Sequence, residues 1–548
     1  MLGLDGIRIK LCRKEPVAFF TKYSQAKAAA PCDTRRHTSE RSDMNPTEVE
    51  LKLLLPGADA LTVEQTLSLI PALAACTPRQ QWLWNRYYDT TEQALRQQRS
   101  ALRLRCVSDQ PWSEAAAGQP PCGEWIQTFK TAGLSRGGLS QRGEWESKVT
   151  SGELDRAALA ATPWSALDPE GLLFNQLQPC FDTRCRRTTW LLQQADGSRI
   201  EVALDIGEIA AAGQMLPLLE LELELQAGMP QALFELAQQI AREIAVLPCD
   251  ASKAERGYAL AQGVSHAPAR ARATHLPAGV TPLAAAQQAM GEMLEQFTRN
   301  LAGLLQGDDP ELVHQARVAW RRWRSAERLF RPWLTELAPR EPLRPLLDAM
   351  GQLRDLDVAC SETLPGWIAP YAESDPARLE LARQTLDQMA AASQTQRDMV
   401  RALLAQPGTG LGLLGLAHWL HELSGAAAEQ EAAQRKAERA WARERSVRLL
   451  SRLHRSIEHS SRDDATMPEQ HQTRLLAKRV RYSVETLLDL LPEKKAGRWL
   501  RESSRVQNRI GAERDLLRAI ELLQQSAAGS GLLDFLRGVA AASRHSRS

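Results

Sequence analysis

From residue 47 to about residue 226, charged and apolar side chains alternate with period two in one short stretch after another. Thr47–Leu55, Ala101–Arg105, Trp125–Lys130, Arg142–Lys148, Arg199–Glu208 and Leu218–Gln226 all show it. Residues two apart in a strand share a face, so each stretch predicts a strand with one charged and one apolar side. Helices are expected near Leu61–Ala75 and Met229–Ala245, the second opened by Pro230. The Pro/Ala/Gly-rich run Gln110–Gly123 reads as a loop between strands. Residues 263–283, with His266, Pro268, Arg270, Arg272, Pro277 and Gly279, read as a linker. From there to about residue 540, apolar residues recur at three- and four-residue spacing. The expectation is an α+β N-terminal domain, residues 44–262, followed by an all-α helix bundle domain, residues 284–540.

A chain of 548 residues exceeds one compact core, which agrees with that division. The net charge of +2 is close to balance, so any electropositive site must come from local clustering. Nine cysteines without a Cys-x-x-Cys pair argue against a disulfide framework or zinc ribbon and suit a cytoplasmic location. No apolar run approaches the roughly 20 residues of a membrane helix, so no membrane partner is expected. Residues 1–43 are basic, with no periodic apolar face and no signal-peptide core. They read as a disordered extension, with Met44 as an alternative first residue.

The charged faces carry the chemistry. Glu48, Glu50 and Lys52 share one side of their strand, Arg103 and Arg105 another, and Glu220, Glu222 and Glu224 a third. A solvated polar face is the ordinary reading of any one of these. Three carboxylates in a row, however, repel one another unless a cation sits against them. Hard oxygen ligands of this kind suit Mg²⁺, and Arg forks match phosphate oxygens. Carboxylates on one side and Arg/Lys on the other are what metal-assisted phosphoryl transfer requires.

In these residues the chain resembles the CYTH superfamily, the triphosphate tunnel metalloenzymes. Glu48-Val-Glu50-Leu-Lys52 matches its Glu-x-Glu-x-Lys signature, and six further elements follow in order. They are Tyr87-Tyr88-Asp89-Thr90, Ala101-Leu-Arg103-Leu-Arg105, Thr128-Phe-Lys130, Ala203-Leu-Asp205-Ile-Gly207-Glu208, the 220–224 ridge, and Ser252-Lys253-Ala-Glu-Arg256-Gly-Tyr258. The resemblance implies a closed tunnel of eight antiparallel strands with the charged residues pointing inward. It implies that Lys52, Arg103, Arg105, Lys130, Arg184 and Lys253 grip a triphosphate, with the position in the run Arg184, Arg186, Arg187 open. Glu48, Glu50, Asp205, Glu222 and Glu224, with Glu220 beside them, would hold one or two Mg²⁺ or Mn²⁺ ions. Glu48, Glu50 and Lys52 are expected at the reacting centre, one of the carboxylates orienting the attacking water.

The helical half contains a duplication. His314, Arg317, Arg321, Arg322 and Arg324 recur as His471, Arg474, Lys478, Arg479 and Arg481, 157 residues later at identical spacing. Each copy is followed by Arg-Asp-Leu, at Arg354 and at Arg514. At about 100° per residue, offsets 0, 3, 7 and 10 fall on one helix stripe, while Arg322 and Arg479 point aside. Such a stripe, with no acid in it, is unfavourable without an anion. His418 and His421, three apart with no third ligand, read as structural. This half resembles the CHAD domain, which implies two related helix bundles and a basic groove that binds long-chain polyphosphate.

CYTH followed by CHAD resembles bacterial inorganic triphosphatases, implying hydrolysis of triphosphate to pyrophosphate and phosphate. The same tunnel signature serves thiamine triphosphatases and class IV adenylate cyclases. A polyphosphate-binding protein with little catalysis is a further reading. A nucleic-acid partner is not expected: Trp320 and Trp323 accompany basic residues, but no groove-reading motif is present.

Overall fold

The computed structural model describes residues 47–111, 123–434, 441–460, 467–509, 511–525 and 530–545. The expected extension at residues 1–43 lies outside the described residues, as does most of the expected loop at 110–123.

Ten strands form one antiparallel sheet: β1 (Thr47–Leu54), β2 (Arg79–Asp89), β3 (Ala101–Ser108), β4 (Glu124–Lys130), β5 (Leu134–Arg136), β6 (Leu139–Val149), β7 (Gln178–Gln193), β8 (Arg199–Ala211), β9 (Gln214–Ala227) and β10 (Leu247–Pro248). Their order is β10-β1-β9-β8-β7-β2-β3-β4-β6-β5. A further pairing of β1 with β6, in the register Glu48 opposite Arg142, closes eight of them into a barrel. Strand β1 serves both neighbours by dividing its length. Residues 47–51 pair with β6, and residues 50–54 pair with β9.

Period-two patterning decides which side of the sheet is the interior. Leu51, Leu53, Val202, Leu204, Leu221 and Leu223 lie on one side, all fully buried in a core shared with Leu233, Phe234, Leu236, Ala237 and Ile240 of the helix Gln231–Glu243. At about 1.5–3 kcal/mol per large apolar side chain, that helix fixes this side as the barrel's outside. The opposite side therefore faces inward. There Glu50 and Lys52 are 3% exposed and Asp205 is 0% exposed.

Strands β2 and β7 escaped the periodic reading for a physical reason. Their outward faces are polar as well: Arg86 forks onto Asp182 at 2.9 and 3.0 Å, and Arg186 reaches Glu64 of the helix Ala60–Leu69. With polar and apolar side chains mixed on both faces, as with Trp84 beside Arg86 and Leu83 beside Asn85, there is no alternation to detect.

Helices follow from Pro282 onward, beginning with the antiparallel pair Pro282–Leu304 and Pro310–Phe330. Thr281 and Asp309 cap these two, each with Pro in the first turn. The segment 263–281 has no regular element but is tied to the helical half. Ala269 exchanges two hydrogen bonds with Asn300, Thr274 donates to Glu292 at 2.7 Å, and Leu276 is buried. The second copy of the duplicated unit comprises the helices Trp441–Ser460 and Met467–Thr486, and the two motif helices pack on each other. No helix among the described residues is long and apolar enough to cross a membrane.

Candidate functional site

The inward faces assemble two ionic clusters that face each other across the barrel. On β1, Glu50 accepts from Lys52 at 2.9 Å. Arg142 of β6 donates to Glu48 at 2.9 Å and to Glu50 at 2.7 Å. Lys130 of β4 bridges Glu48 and Glu144, at 3.0 Å from each. Arg103 of β3 faces Glu144 and Glu146, at 3.4 and 3.5 Å. Arg105 donates to Asn85, which donates in turn to Thr183. Across the barrel, Arg187 of β7 forks onto Asp205 with two bonds of 2.7 Å and reaches Glu222 at 2.6 Å.

The last cation comes from a helix, not from a strand. Lys253 opens the helix Lys253–Ala261, whose N-terminus Ser252 and Glu255 close with a capping box. Its ammonium lies 2.8 Å from both Asp205 and Glu222 and also contacts Glu220. Arg256, one turn on, reaches Glu220 at 2.6 Å. Tyr258 holds the helix in place by donating to Asp89 at 2.7 Å. Asp89 also accepts from the backbone N–H groups of Thr90, Leu95 and Arg96. Gly257 allows the close approach, since a Cβ there would lie 2.2 Å from the Phe181 ring. The Tyr-Tyr-Asp-Thr element is thus a clamp for the lysine-bearing helix, not a part of the ionic wall.

These contacts set the charge states. Burial works against the Lys253 ammonium, but Asp205, Glu220 and Glu222 outweigh it and hold its pKa well above the usual lysine range. Burial likewise works against ionised Glu222, yet Lys253, Arg187 and Lys52 hold it well below the usual carboxylate range. Asp205 is held down by Arg187 and Lys253 against its own burial. Lys52 is raised because Glu50 and Glu222 outweigh burial and the repulsion of Arg142. Lys52, Lys253, Asp205 and Glu222 are thus each held towards the charged form.

Most of the residues singled out from the sequence meet here: Glu48, Glu50, Lys52, Arg103, Arg105, Lys130, Asp205, Glu220, Glu222 and Lys253. Glu224 pairs with Glu50 in the β1–β9 register, on the same face. Arg184 is a correction. It lies on the outer face of β7, 41% exposed and 4.0 Å from Glu208, because inward positions on β7 have odd numbers. Arg187 takes the inward place. Arg142, Glu144 and Glu146, which share one face of the stretch Arg142–Lys148, also line the wall. Arg256 belongs to the Ser252–Tyr258 element, but its contact with Glu220 depends on how that helix lies over the barrel.

A divalent cation is compatible with this donor set. Asp205, Glu220 and Glu222 each offer a carboxylate oxygen, all within 4.8 Å of one another. These are hard donors, and Asp205 and Glu222 are held ionised.

In the helical half the two motif helices bring like charges together. Burial, then Arg321, Arg474 and Arg514, push the Lys478 ammonium down to about 7, and Asp515 only partly counters them. Burial and then Arg321 lower Arg317, beside Arg354 and Asp355. His314 is lowered by burial and by Arg354, and His471 by burial and by Arg514, whose guanidinium contacts its Nδ1 at 2.9 Å. His314 Nδ1, Arg317 Nε and Arg474 Nε have no hydrogen-bond partner among the described residues. The stripes are not uniform to their ends. Burial and then the like charges of Arg328 and Arg340 lower Arg324, while Arg481 lies over Tyr482 with Glu485 at 3.6 Å. Arg322 does point aside, bonded to Gln296 and to the Arg272 carbonyl. Trp320 and Trp323 are buried, so neither ring is available to stack on a base. His418 and His421 both lie against Phe234, with ring centroids 5.1 and 5.6 Å away.

Comparison with known proteins follows the same division. The CYTH domain model matches residues 46–258, and the CHAD domain model matches residues 288–524. The inorganic triphosphatase of Haemophilus influenzae is 34% identical over 218 residues, 39% of this chain and 54% of that protein. The chain thus spans about half the length of this relative. Among solved structures, the CHAD domain from the plant Ricinus communis is 27% identical with a TM-score of 0.44, over 52% of this chain and 93% of that one. An adenylyl cyclase candidate from Hippeastrum, described as having a dominant triphosphatase activity, is 18% identical with a TM-score of 0.26, over 39% of this chain and 95% of that one.

Proposed function

For a chain that carries a CYTH domain followed by a CHAD domain, we propose metal-dependent hydrolysis of inorganic triphosphate in the barrel and binding of long-chain polyphosphate by the helices. The observation that carries the first part is the inward ionic wall. Nearly every carboxylate on it is already matched to a cation of the chain: Glu48 to Arg142 and Lys130, Glu50 to Lys52, Asp205 to Arg187, Glu220 to Arg256. A polyanion entering a balanced wall brings surplus negative charge, which favours entry together with divalent cations.

In this reading, Lys52, Arg103, Arg105, Lys130, Arg187 and Lys253 hold the phosphate oxygens, exchanging their carboxylate partners for substrate. The arginine forks, with the lysine ammonium groups as point charges, keep the chain extended and in line for displacement. Glu48, Glu50, Asp205, Glu220, Glu222 and Glu224 would hold Mg²⁺ or Mn²⁺, which when bound neutralises charge developing on the transferred phosphoryl group. A carboxylate of β1 or β9 orients the water that attacks the terminal phosphorus. The P–O bond to the leaving pyrophosphate breaks, and the water's proton passes to that carboxylate.

The test is phosphate release from tripolyphosphate, ATP and thiamine triphosphate, with and without Mg²⁺. Tripolyphosphate with Mg²⁺ is expected to be preferred, and Glu48→Ala or Glu50→Ala to lower its turnover by a hundredfold or more. Undiminished hydrolysis in either variant would remove the barrel from the reaction. For the helical half, Arg317→Glu combined with Arg474→Glu is expected to weaken retention on immobilised long-chain polyphosphate, and unchanged retention would sink that part.

A further inference from the structure

A cavity of about 300 Å³ opens between three helices of the helical half, lined by Arg328, Arg445, Arg448, Arg452, Arg479 and Ser483 around the apolar floor of Leu329 and Leu449. Arg328 comes from the last turn of Pro310–Phe330. Arg445, Arg448 and Arg452 sit three and four residues apart on one face of Trp441–Ser460. Arg479 and Ser483 are one turn apart on Met467–Thr486.

Two of these arginines have evident partners. Arg445 caps the end of Pro310–Phe330, donating to the carbonyls of Leu329 at 3.1 Å and Arg328 at 3.0 Å. Arg448 pairs with Glu444. The others are not accounted for in this way. Arg479 Nε has no hydrogen-bond partner among the described residues, and neither has Ser483 Oγ, although Ser483 is only 1% exposed. A buried hydroxyl without a partner is unfavourable unless a ligand supplies one. The two motif copies provide an internal comparison. Arg322, the counterpart of Arg479, is bonded to Gln296 and to a backbone carbonyl. Fourteen residues after His314 stands Arg328, whereas fourteen after His471 stands Glu485. The positions that correspond to this lining therefore differ in chemistry between the two copies. Burial and then Arg328, Arg452 and Arg324 also push the Arg479 guanidinium down, as expected where cations crowd without an anion.

We infer that this cavity is a phosphoryl-binding site separate from the duplicated stripes, in which Arg328, Arg452 and Arg479 embrace the oxygens of a compact phosphate anion and Ser483 donates its hydroxyl. Several arginine forks around one small space suit a tetrahedral oxyanion. The ligand chemistry has two sources: free pyrophosphate, or the terminal group of a polyphosphate chain. The inference does not rest on hydrolysis in the barrel.

The experiment is calorimetric titration of the full-length chain with pyrophosphate. Arg328→Glu combined with Arg452→Glu should weaken one class of site by tenfold or more, and Ser483→Ala, which changes no charge, by about threefold. Arg378→Glu, an exposed reversal outside the cavity, should keep wild-type affinity. Titration with long-chain polyphosphate separates the sources. Weakened binding in the cavity pair, with pyrophosphate competing, indicates a chain end; weakened pyrophosphate binding alone indicates the free anion. Wild-type pyrophosphate affinity in both the cavity pair and Ser483→Ala would overturn the inference, as would an equal loss in Arg378→Glu. Because tripolyphosphate turnover is read separately, failure here leaves the reading of the barrel standing.

Discussion

Lys253 stands where three carboxylates converge, so its ammonium occupies the place at which Asp205, Glu220 and Glu222 could hold a metal ion. Replacing it by an isosteric apolar residue separates two roles. In metal-free buffer Lys253→Met leaves those carboxylates short of a cation, a loss of about 3–5 kcal/mol. The melting temperature should fall, and millimolar Mg²⁺ or Mn²⁺ should restore much of it. A fall that no divalent ion reverses would sink the triad as a metal site. The pH dependence has a definite sign. Glu222 is held well below its usual range, so its contribution to stability is present above its unfolded pKa of about 4.3 and is lost as pH falls through the folded value. Lys253 is held above its usual range, so its contribution is present below about pH 10.4 and is lost as pH rises through the folded value. The destabilisation caused by Glu222→Gln should therefore be constant between pH 6 and 9 and fade on acidification; urea midpoints across that range check it. At this scale the wall was largely legible, because Glu48, Glu50, Lys52, Arg103, Arg105 and Lys130 each declare their face by strand period. Arg187 was not legible. In the run Arg184, Arg186, Arg187 both faces of β7 are polar, and only its register against Asp205 reveals which arginine turns inward.

At the scale of the element, the two motif helices place Lys478 against Arg321, Arg474 and Arg514, with Asp515 as the facing acid. A lysine held at about 7 is charged in the folded protein only below that pH, while in the unfolded chain it stays charged to about 10.4. Its unpaired charge therefore costs stability most fully below about pH 7, and the cost is relieved as pH rises towards 10.4. An anion on the stripes reverses the balance by drawing a proton onto Lys478. Polyphosphate affinity should thus rise about tenfold between pH 8.5 and 6.5 at constant ionic strength, and Lys478→Gln should flatten most of that slope. His314 and His471 are also lowered, so they leave a smaller slope at more acid pH. An undiminished slope in Lys478→Gln would assign the titration elsewhere. The helical spacing of the motif was readable in advance, and so was the aside position of Arg322. The crowding of Arg324 by Arg340 was not, because Arg340 lies beyond the end of that helix, whereas Arg328, Tyr482 and Glu485 are neighbours on the motif helices themselves.

Across the whole molecule, one buried carboxylate joins the two halves. Asp250 follows β10 and is 4% exposed. It accepts from the Gly138 N–H and the Ser135 hydroxyl, both at 2.9 Å, in the β5–β6 hairpin. It also accepts from Thr298 of the helix Pro282–Leu304 at 2.7 Å. Gly138 in turn accepts from the Lys52 N–H, so the anchor reaches the strand that carries Glu48, Glu50 and Lys52. Arg299 adds a contact to Glu255, the capping residue of the lysine-bearing helix. Around these polar ties, a single apolar core runs from Leu51 and Leu53 through Phe234 to Trp323 and Leu453. The sequence shows a compositional break at 263–283 but not this continuity, because the residues that meet across it are scattered. With a shared core, the barrel and the helices should unfold together in calorimetry. Asp250→Ala leaves the Gly138 N–H and the Ser135 hydroxyl without their acceptor, while Thr298 keeps the carbonyls of Leu294 and Glu295, and should destabilise the folded chain in that single transition by about 2–3 kcal/mol. Asp250→Asn keeps one carbonyl for Gly138 and Ser135 and an amide that can donate to Thr298, so it should cost much less. If the Ala variant instead melts in two steps, with the helical step where wild type melts, the halves are independent and the carboxylate is only a local tie.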